Sequence, residues 1–523
     1  MKDLHSSVEN PLIKKIVFRK TARNKCGRRT SFFGGLILLV LSATSLIWTP
    51  FHTMLNERLR MRPGFFNAVA KLLFEMFFLG FPGYEWWKTP PDQVLLRVYI
   101  FNVTNAEEFL NGTHDKLKVQ EIGPIIFREH LTHSNVTFNA NDTLSYVAKR
   151  SAIYLPDMNT IDLNSTLVVP NLPILGMASY LWDSSFVTKI GFSLLLRTLE
   201  SRSIIHTSIY NYLWNFTDSI LDVAQTLAPT LVPLSNMGIL HIMYSNFENL
   251  VTVKIGTTYG SQNFFLIDKF DGSDYFPNFD NACKSKLVNA TEGVAYPQFL
   301  TKETTLHYWR QTICKVVDLN YKREVYVNGV KAYLYLLNST IFNRVGRIHD
   351  CHSGNPPLPN GLSDVSKCYF NFPMASSFPH FLHADNSNFY VDGLEPDVDK
   401  HSSYVVIEPI TGVPIESRAR LQSNLVVKEL DGFNDIVERF SNTIIPMFWA
   451  EYNQVGLPLY ITALVYFTVN VVPYLQFVVI LMMIISGISL TIYSTLKYRR
   501  TVLNSEHSEQ SGNCDEPGKC AAT

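Results

Sequence analysis

Two stretches of the chain carry no charged side chain at all, Thr30 to Asn56 and Tyr452 to Leu496. Each contains the ~20 apolar residues that cross the hydrocarbon of a bilayer, which predicts transmembrane helices over 32–51 and 473–496. The second stretch is twice as long as one crossing needs. A third crossing at Leu457–Val469 would have only thirteen residues and would move "KYRR" (497–500) to the other side. Residues 457–472 are therefore expected to be a membrane-hugging juxtamembrane segment. "FFNAVAKLLFEMFFLG" (65–80) is nearly as apolar but holds Lys71 and Glu75 at i,i+4, which predicts an amphipathic helix lying on the membrane.

Between the two spans the pattern changes. "QVLLRVYIFNV" (93–103) is rich in β-branched and aromatic residues and predicts a strand. "REVYVNGVKAYLYLL" (323–337) places Asn328-Gly329 between two such runs, a strong hairpin signal. Residues 403–428 predict two strands broken near Pro409 to Gly412. The block 178–228 has a helical texture, with Phe186, Ile190, Leu194 and then Leu213, Phe216, Ile220, Val223 at three- and four-residue spacing. Those apolar faces are expected to pack on the sheet. Strands with one helical block imply an α+β fold with an antiparallel core. No repeat or low-complexity linker divides 52–456, so one large domain is expected.

Charge placement sets the orientation. Residues 1–31 hold nine Lys/Arg against two acids, and "KYRR" follows the second apolar run at once. Basic flanks mark the cytoplasmic side of a span. The basic region and the apolar run of 32–51 are both too long for a cleaved signal peptide, and the small residues Ser42-Ala43-Thr44 lie mid-run. Both tails, 1–31 and 497–523, are then cytoplasmic, and 52–456 is outside. Asn-x-Ser/Thr acceptors at Asn102, Asn111, Asn135, Asn141, Asn164, Asn215, Asn289 and Asn338 all fall in that outer region, as glycosylation of a secreted segment requires. So do Cys283, Cys314, Cys351 and Cys368, an even set that predicts two disulfides with three pairings open. Cys26 beside the first span is a palmitoylation candidate, or an idle cytosolic thiol. The formal net charge of zero argues against nucleic acid as a partner.

No GxSxG, HExxH, GxxxxGK[ST] or GxGxxG occurs, and "DGSDYFPNFD" (271–280) lacks the glycine and glutamate of a calcium loop. His380 and His383 stand three apart, which could suggest a metal but fits a structural role better. An anchored, glycosylated, disulfide-linked segment with no enzyme, metal or cofactor signature describes a receptor, adhesion molecule or carrier.

Several stretches resemble one family in one order: "YIFNVTNAEEFL" (99–110), "VQEIGPIIFRE" (119–129), "LWNFTDSIL" (213–221), "SSFPHFLHAD" (376–385), "IEPITGVPIESRARLQSNLVV" (407–427) and "IPMFW" (445–449). The chain resembles the class B scavenger receptors, the group of the fatty-acid translocase, the lysosomal integral membrane proteins, croquemort and the sensory neuron membrane proteins. The resemblance implies an antiparallel β-barrel core with an apolar tunnel, and a helical bundle at the membrane-distal end, here 178–228. It implies pairing of Cys283 with Cys351 and of Cys314 with Cys368. It makes Lys189, Arg197 and Arg202 candidates for meeting anionic ligands at the tunnel entrance, against the plainer reading that they are solvated helix charges. A third bridge that many relatives carry is lacking here, and 65–80 departs from the relatives as an extra apolar segment.

The function implied is a plasma-membrane scavenger receptor. It would bind lipids, lipoproteins, or microbial or apoptotic particles, and pass apolar cargo to the membrane, with oligomerisation left open. The alternative is an endosomal or lysosomal trafficking receptor carrying a luminal protein. "ENPLI" (9–13) resembles a sorting signal, but with the acid one residue too near.

Overall fold

β-branched and aromatic runs build a 14-stranded sheet, and the strand expected over 93–103 lies in its interior. The computed structural model describes residues 29–46, 83–91, 94–227, 234–245, 248–256, 258–275, 286–287, 289–344, 351–385 and 391–512. The segment 65–80, Cys26 and Cys283 lie outside the described residues. Two compact units result, Met1–Leu55 with Tyr466–Thr523, and Asn56–Val465.

In the larger unit the strands are β1 (Val94–Val103), β2 (Leu117–Phe138), β3 (Thr143–Tyr154), β4 (Thr166–Pro170), β5 (Ile204–Ser208), β6 (Leu250–Lys254), β7 (Ile267–Phe270) and β8 (Leu306–Arg310). They continue with β9 (Lys315–Val327), β10 (Val330–Leu337), β11 (Ser363–Asp364), β12 (Met374–Ser377), β13 (Val391–Asp392), β14 (Tyr404–Glu408), β15 (Val413–Val427) and β16 (Thr443–Gln454). The main path runs β7-β6-β3-β2-β1-β16-β15-β14-β10-β9-β8, while β4 and β5 form a separate pair. Asn328 and Gly329, with φ of 49° and 78°, join β9 to β10 in the two-residue turn their sequence predicts.

The expected closed barrel is not found: β7 and β8, the two edges, share no strand pairing. The sheet nevertheless rolls until the edges face each other, with Phe270 and Trp309 edge-to-face at 5.9 Å. Residues 289–291 join them irregularly. Asn289 donates to Ile267 O and Ile267 to Ala290 O, while Thr291 donates to His307 O and Trp309 to Thr291 O.

The helical block contains α2 (Leu172–Tyr180), α3 (Phe186–Thr198), α4 (Ile209–Trp214), α5 (Ser219–Leu227) and, beyond it, α6 (Ile239–Ser245). The N-terminal helix is α1 (Arg29–Leu46). Sequence periodicity assigned one face of α3 wrongly to the interior. Phe186, Ile190 and Leu194 are exposed, whereas Phe192 and Leu196 are buried. Leu213, Phe216 and Ile220 are buried as expected. β5 interrupts the block unannounced, because "SIIHTS" is short and paired to the distant β4.

In the smaller unit α1 is long and apolar enough to cross a membrane, as is the helix Leu459–Asn504, whose residues from Tyr466 onward belong to the same unit. The latter begins as α7 (Leu459–Tyr466) and passes through a π-helical turn at Phe467–Val471 into α8 (Val472–Gly512). Its 46 residues extend about 70 Å, against ~30 Å of hydrocarbon. The segment 457–472 is thus helical from Leu459 and runs unbroken into the span. The pair of helices fits a two-span membrane protein. They cross at glycines: a Cβ on Gly35 would sit 2.9 Å from Gly487 O, and one on Gly487 3.0 Å from Gly35 O. Small residues permit that backbone approach.

Candidate functional site: an apolar cavity with one cationic end

The helices and the sheet leave a cavity of about 300 Å³ between them. Its helical wall includes Gly176, Phe192, Leu221, Met237, Ile242 and Met243, and its sheet wall Met374, Leu421, Met447, Phe448, Ala450 and Tyr452. A wall of this composition excludes water and suits an apolar guest.

Polar ties fix that wall to the sheet. Ser179 Oγ donates to Val426 O at 2.7 Å and accepts from Lys428 N at 3.1 Å, anchoring α2 to the end of β15. Buried Asn171 precedes α2 and donates to Arg202 O at 3.1 Å and Asp218 Oδ2 at 2.9 Å, drawing the ends of α3 and α5 together. Ser185 Oγ accepts from Thr188 N at 3.3 Å and caps α3. Gly176 admits no side chain, since a Cβ there would lie 2.1 Å from the Phe372 ring.

One part of the cavity wall is charged. Half-buried Arg310, at the end of β8, donates from Nε to Thr312 Oγ1 at 3.1 Å and from Nη1 to the Tyr308 hydroxyl at 3.2 Å. Its guanidinium lies 4.4 Å from the Tyr452 ring centroid. Nearby, Arg150 donates to Glu129 Oε1 at 3.2 Å, and Glu129 accepts the Tyr244 hydroxyl at 3.1 Å. The Tyr146 hydroxyl donates to Glu292. Burial pushes Glu292 above the usual carboxylate range against that hydrogen bond and the Arg150 charge. Burial and the Glu129 carboxylate push the Tyr452 phenol up to about 12, with Arg310 and Arg150 opposing. The Tyr452 phenol therefore stays neutral near pH 7.

A second polar cluster joins β1, β2 and β16. His380 Nε2 is 2.7 Å from Glu121 Oε2, which also accepts from Trp449 Nε1 at 2.7 Å. Glu395 N donates to His380 Nδ1 at 3.0 Å, so Nε2 carries the proton toward Glu121. His401 stacks on His380 with centroids 4.6 Å apart. Burial, reinforced by His380, lowers the His401 pKa to about 4. Among the described residues no group of three or more His, Cys, Asp and Glu could hold a metal ion.

A sequence model of the CD36 family matches residues 33–498. The chain belongs to the CD36 family. Scavenger receptor class B member 1 of Cricetulus griseus is 30% identical over 75% of this chain and 77% of that protein. The Bos taurus protein of the same name is 29% identical over 70% of this chain and 72% of its own length. Lysosome membrane protein 2 of Homo sapiens is 26% identical over 76% of this chain and 80% of that protein. A class B scavenger receptor is thus the family in which the cavity is to be understood.

Within this CD36-family fold, none of Lys189, Arg197 and Arg202 lines the cavity. Lys189 donates to Asp431 O at 2.9 Å and lies 5.3 Å from the Phe433 ring centroid. Arg197 pairs with Asp435 at 3.6 Å. Arg202 is exposed. Of the eight sequon asparagines, Asn111, Asn135, Asn141, Asn164, Asn215 and Asn289 are exposed, and Asn102 and Asn338 half-buried. Asn102 Oδ1 accepts from Val168 N at 2.8 Å. Cys314 and Cys368 form a disulfide with Cα atoms 6.3 Å apart, and Cys351 is also disulfide-bonded. Arg310 escaped sequence reasoning because it sits in no motif. Its signal is the alternation of "LHYWR", which puts Arg310 on the face of Leu306 and Tyr308.

Proposed function

We propose that this CD36-family chain is a cell-surface receptor that captures lipids, lipoproteins or particles and delivers apolar cargo to the membrane. The cavity forms part of a tunnel for that cargo. The apolar cavity between bundle and sheet carries the reading, and the relatives named scavenger receptor class B member 1 support it. Exposing each CH₂ to water costs ~0.8 kcal/mol, so a sixteen-carbon chain faces on the order of 10 kcal/mol. An apolar passage offsets most of that barrier, and the delivery makes and breaks no bond. The reading places both termini in the cytoplasm, glycans on the sequons, and Cys283 on Cys351 beside the Cys314–Cys368 bridge. Lys189, Arg197 and Arg202 serve recognition on the bundle surface.

The test is uptake of labelled lipid from lipoprotein by cells expressing the chain. Ala224→Phe fills the cavity from α5 and is expected to abolish uptake while surface level and particle binding persist. Unchanged uptake in that variant refutes passage through the cavity.

A second reading, a trafficking receptor for a luminal protein, is favoured by the exposed apolar face of α3, where Phe186 is 68% and Val187 78% accessible. The likeness to lysosome membrane protein 2 agrees with it. Imaging a tagged chain at steady state distinguishes the surface from lysosomes.

A further inference from the structure

The hairpin of β9 and β10 runs past the end of the sheet from which the chain departs for its apolar helices. That end is marked by Val94 opposite Gln454, the first residue of β1 and the last of β16. The helix Leu459–Asn504 starts shortly after Gln454, and both Val455 and Leu459 are exposed. Across the sheet from Gln454 stand Ser417, Val405 and Tyr335 in turn. Val330 begins β10 five residues from Tyr335, so the Asn328-Gly329 turn overshoots Gln454 by about 17 Å along the strands. Near this tip the ring of Tyr326 is 70% accessible, opposite Lys331. Glu324 accepts the Tyr326 hydroxyl at 3.4 Å and pairs with Lys331 at 3.1 Å and Lys302 at 3.6 Å. Exposed Lys322 and Arg323 are left without a carboxylate partner among the described residues, and exposed Glu303 is the acid of the adjoining turn. No glycan acceptor occurs between Asn289 and Asn338, so the hairpin surface is free of sequons.

We propose that the tip of the β9–β10 hairpin rests in the headgroup layer of the bilayer, with the Tyr326 ring at the interface and Lys322 and Arg323 on lipid phosphates. The inference does not depend on what the cavity carries. Tyrosine suits that layer because its ring is apolar and its hydroxyl is wet. Lysine and arginine are drawn to it by the phosphates, and more strongly where the lipid carries net negative charge. Side chains alternate along a strand, so Lys322 and Tyr326 share one face of β9 and Arg323 lies on the other. The tip therefore presents a base on each side and meets the headgroups end-on. Glu324 does not oppose the contact, since two lysines already answer its charge. A two-residue turn keeps the tip narrow enough to enter between headgroups. Such a contact gives the larger unit a support besides its links to the apolar helices, and restrains it from rocking on the membrane.

The experiment places the photoreactive residue benzoylphenylalanine at Tyr326 or, as a control, at Phe186, which is 68% accessible on α3. The full chain is irradiated in nanodiscs of phosphatidylcholine, with and without about one-third phosphatidylserine. Phospholipid adducts are expected at 326 with at least about fivefold the yield at 186, and phosphatidylserine should raise the yield at 326 alone. Lys322→Glu combined with Arg323→Glu should lower that yield by about fivefold or more in the anionic discs, with the unfolding temperature unchanged. Absence of lipid adducts at 326, or equal yields at the two positions, overturns the proposal. Adducts at 326 to protein instead of lipid overturn it in favour of a second copy of the chain or another protein as the occupant. Lipid adducts that ignore the charge reversal overturn the part given to Lys322 and Arg323. If the double variant fails to fold, the yields at 326 and 186 and their response to phosphatidylserine still decide.

Discussion

Arg420 and Arg310 are two arginines held inside the same rolled sheet, and their surroundings differ in kind. Arg420 gives Nε to Glu451 Oε2 at 2.6 Å and Nη1 to Ser402 O at 2.6 Å and Asp399 O at 3.3 Å. Glu451 in turn accepts from Arg97 at 2.6 Å through its other oxygen. Nε and Nη1 of that guanidinium are answered by a carboxylate and two carbonyls, in a network that crosses three adjacent strands. Arg310 is answered by two hydroxyls and a ring. The contrast separates an arginine paired within the framework from one that no carboxylate among the described residues contacts.

Removing each guanidinium should sharpen the contrast. Arg420→Leu leaves buried Glu451 with Arg97 alone, and we expect a loss at the lower end of about 3–5 kcal/mol, read by thermal unfolding and by failure to mature to the cell surface. Retention of wild-type stability would erase the distinction between the two sites.

Acid should act next most strongly. His401 titrates at about 4 in the folded chain because burial and then His380 oppose its charge. His133, stacked on Trp87 and donating to its carbonyl, titrates at about 4, chiefly through burial. An unfolded histidine titrates near 6.5, so between about 6.5 and 4 the unfolded chain binds protons that the folded chain refuses. Stability is therefore full above that window and declines through it as pH falls. Glu121 adds a further loss at lower pH. Burial raises its pKa, but the hydrogen bonds from His380 and Trp449 outweigh burial and hold it below the usual carboxylate value. Unfolding midpoints measured from pH 7 to 4 should fall, and His401→Gln should flatten part of that fall.

Arg310→Leu is expected to change stability by no more than about 1 kcal/mol in either direction, since an apolar replacement removes a charge the fold itself leaves unpaired. A loss as large as that of Arg420→Leu would make Arg310 another framework residue. The smallest effect belongs to the surface: Arg197→Ala breaks a solvent-exposed pair with Asp435 and should cost under about 1 kcal/mol in the same assay.

What could be read from the sequence was local. The Asn328-Gly329 hairpin, the strand at 93–103 and the turn before β15 follow from neighbours in the chain, and the structure has them. Periodicity in α3 also identified an apolar face, but it carries no information on what that face meets. Phe186, Ile190 and Leu194 are turned to solvent for that reason. That the sheet stays open was equally out of reach, because closure turns on β7 and β8, which share no strand pairing and meet only through residues 289–291. The charged part of the cavity wall is Arg310 against the Tyr452 ring, from two strands far apart in sequence that share no motif.

The pairing of β1 with β16, Val94 opposite Gln454, bears on how the protein is made. The first long strand to leave the ribosome waits through more than 350 residues for one of its two neighbours. Until then β1 and β15 each present an unsatisfied edge to chaperones and to other nascent chains. Any truncation upstream of Thr443 leaves that gap permanently open, so premature-stop products of this chain are destined for quality control rather than for partial activity.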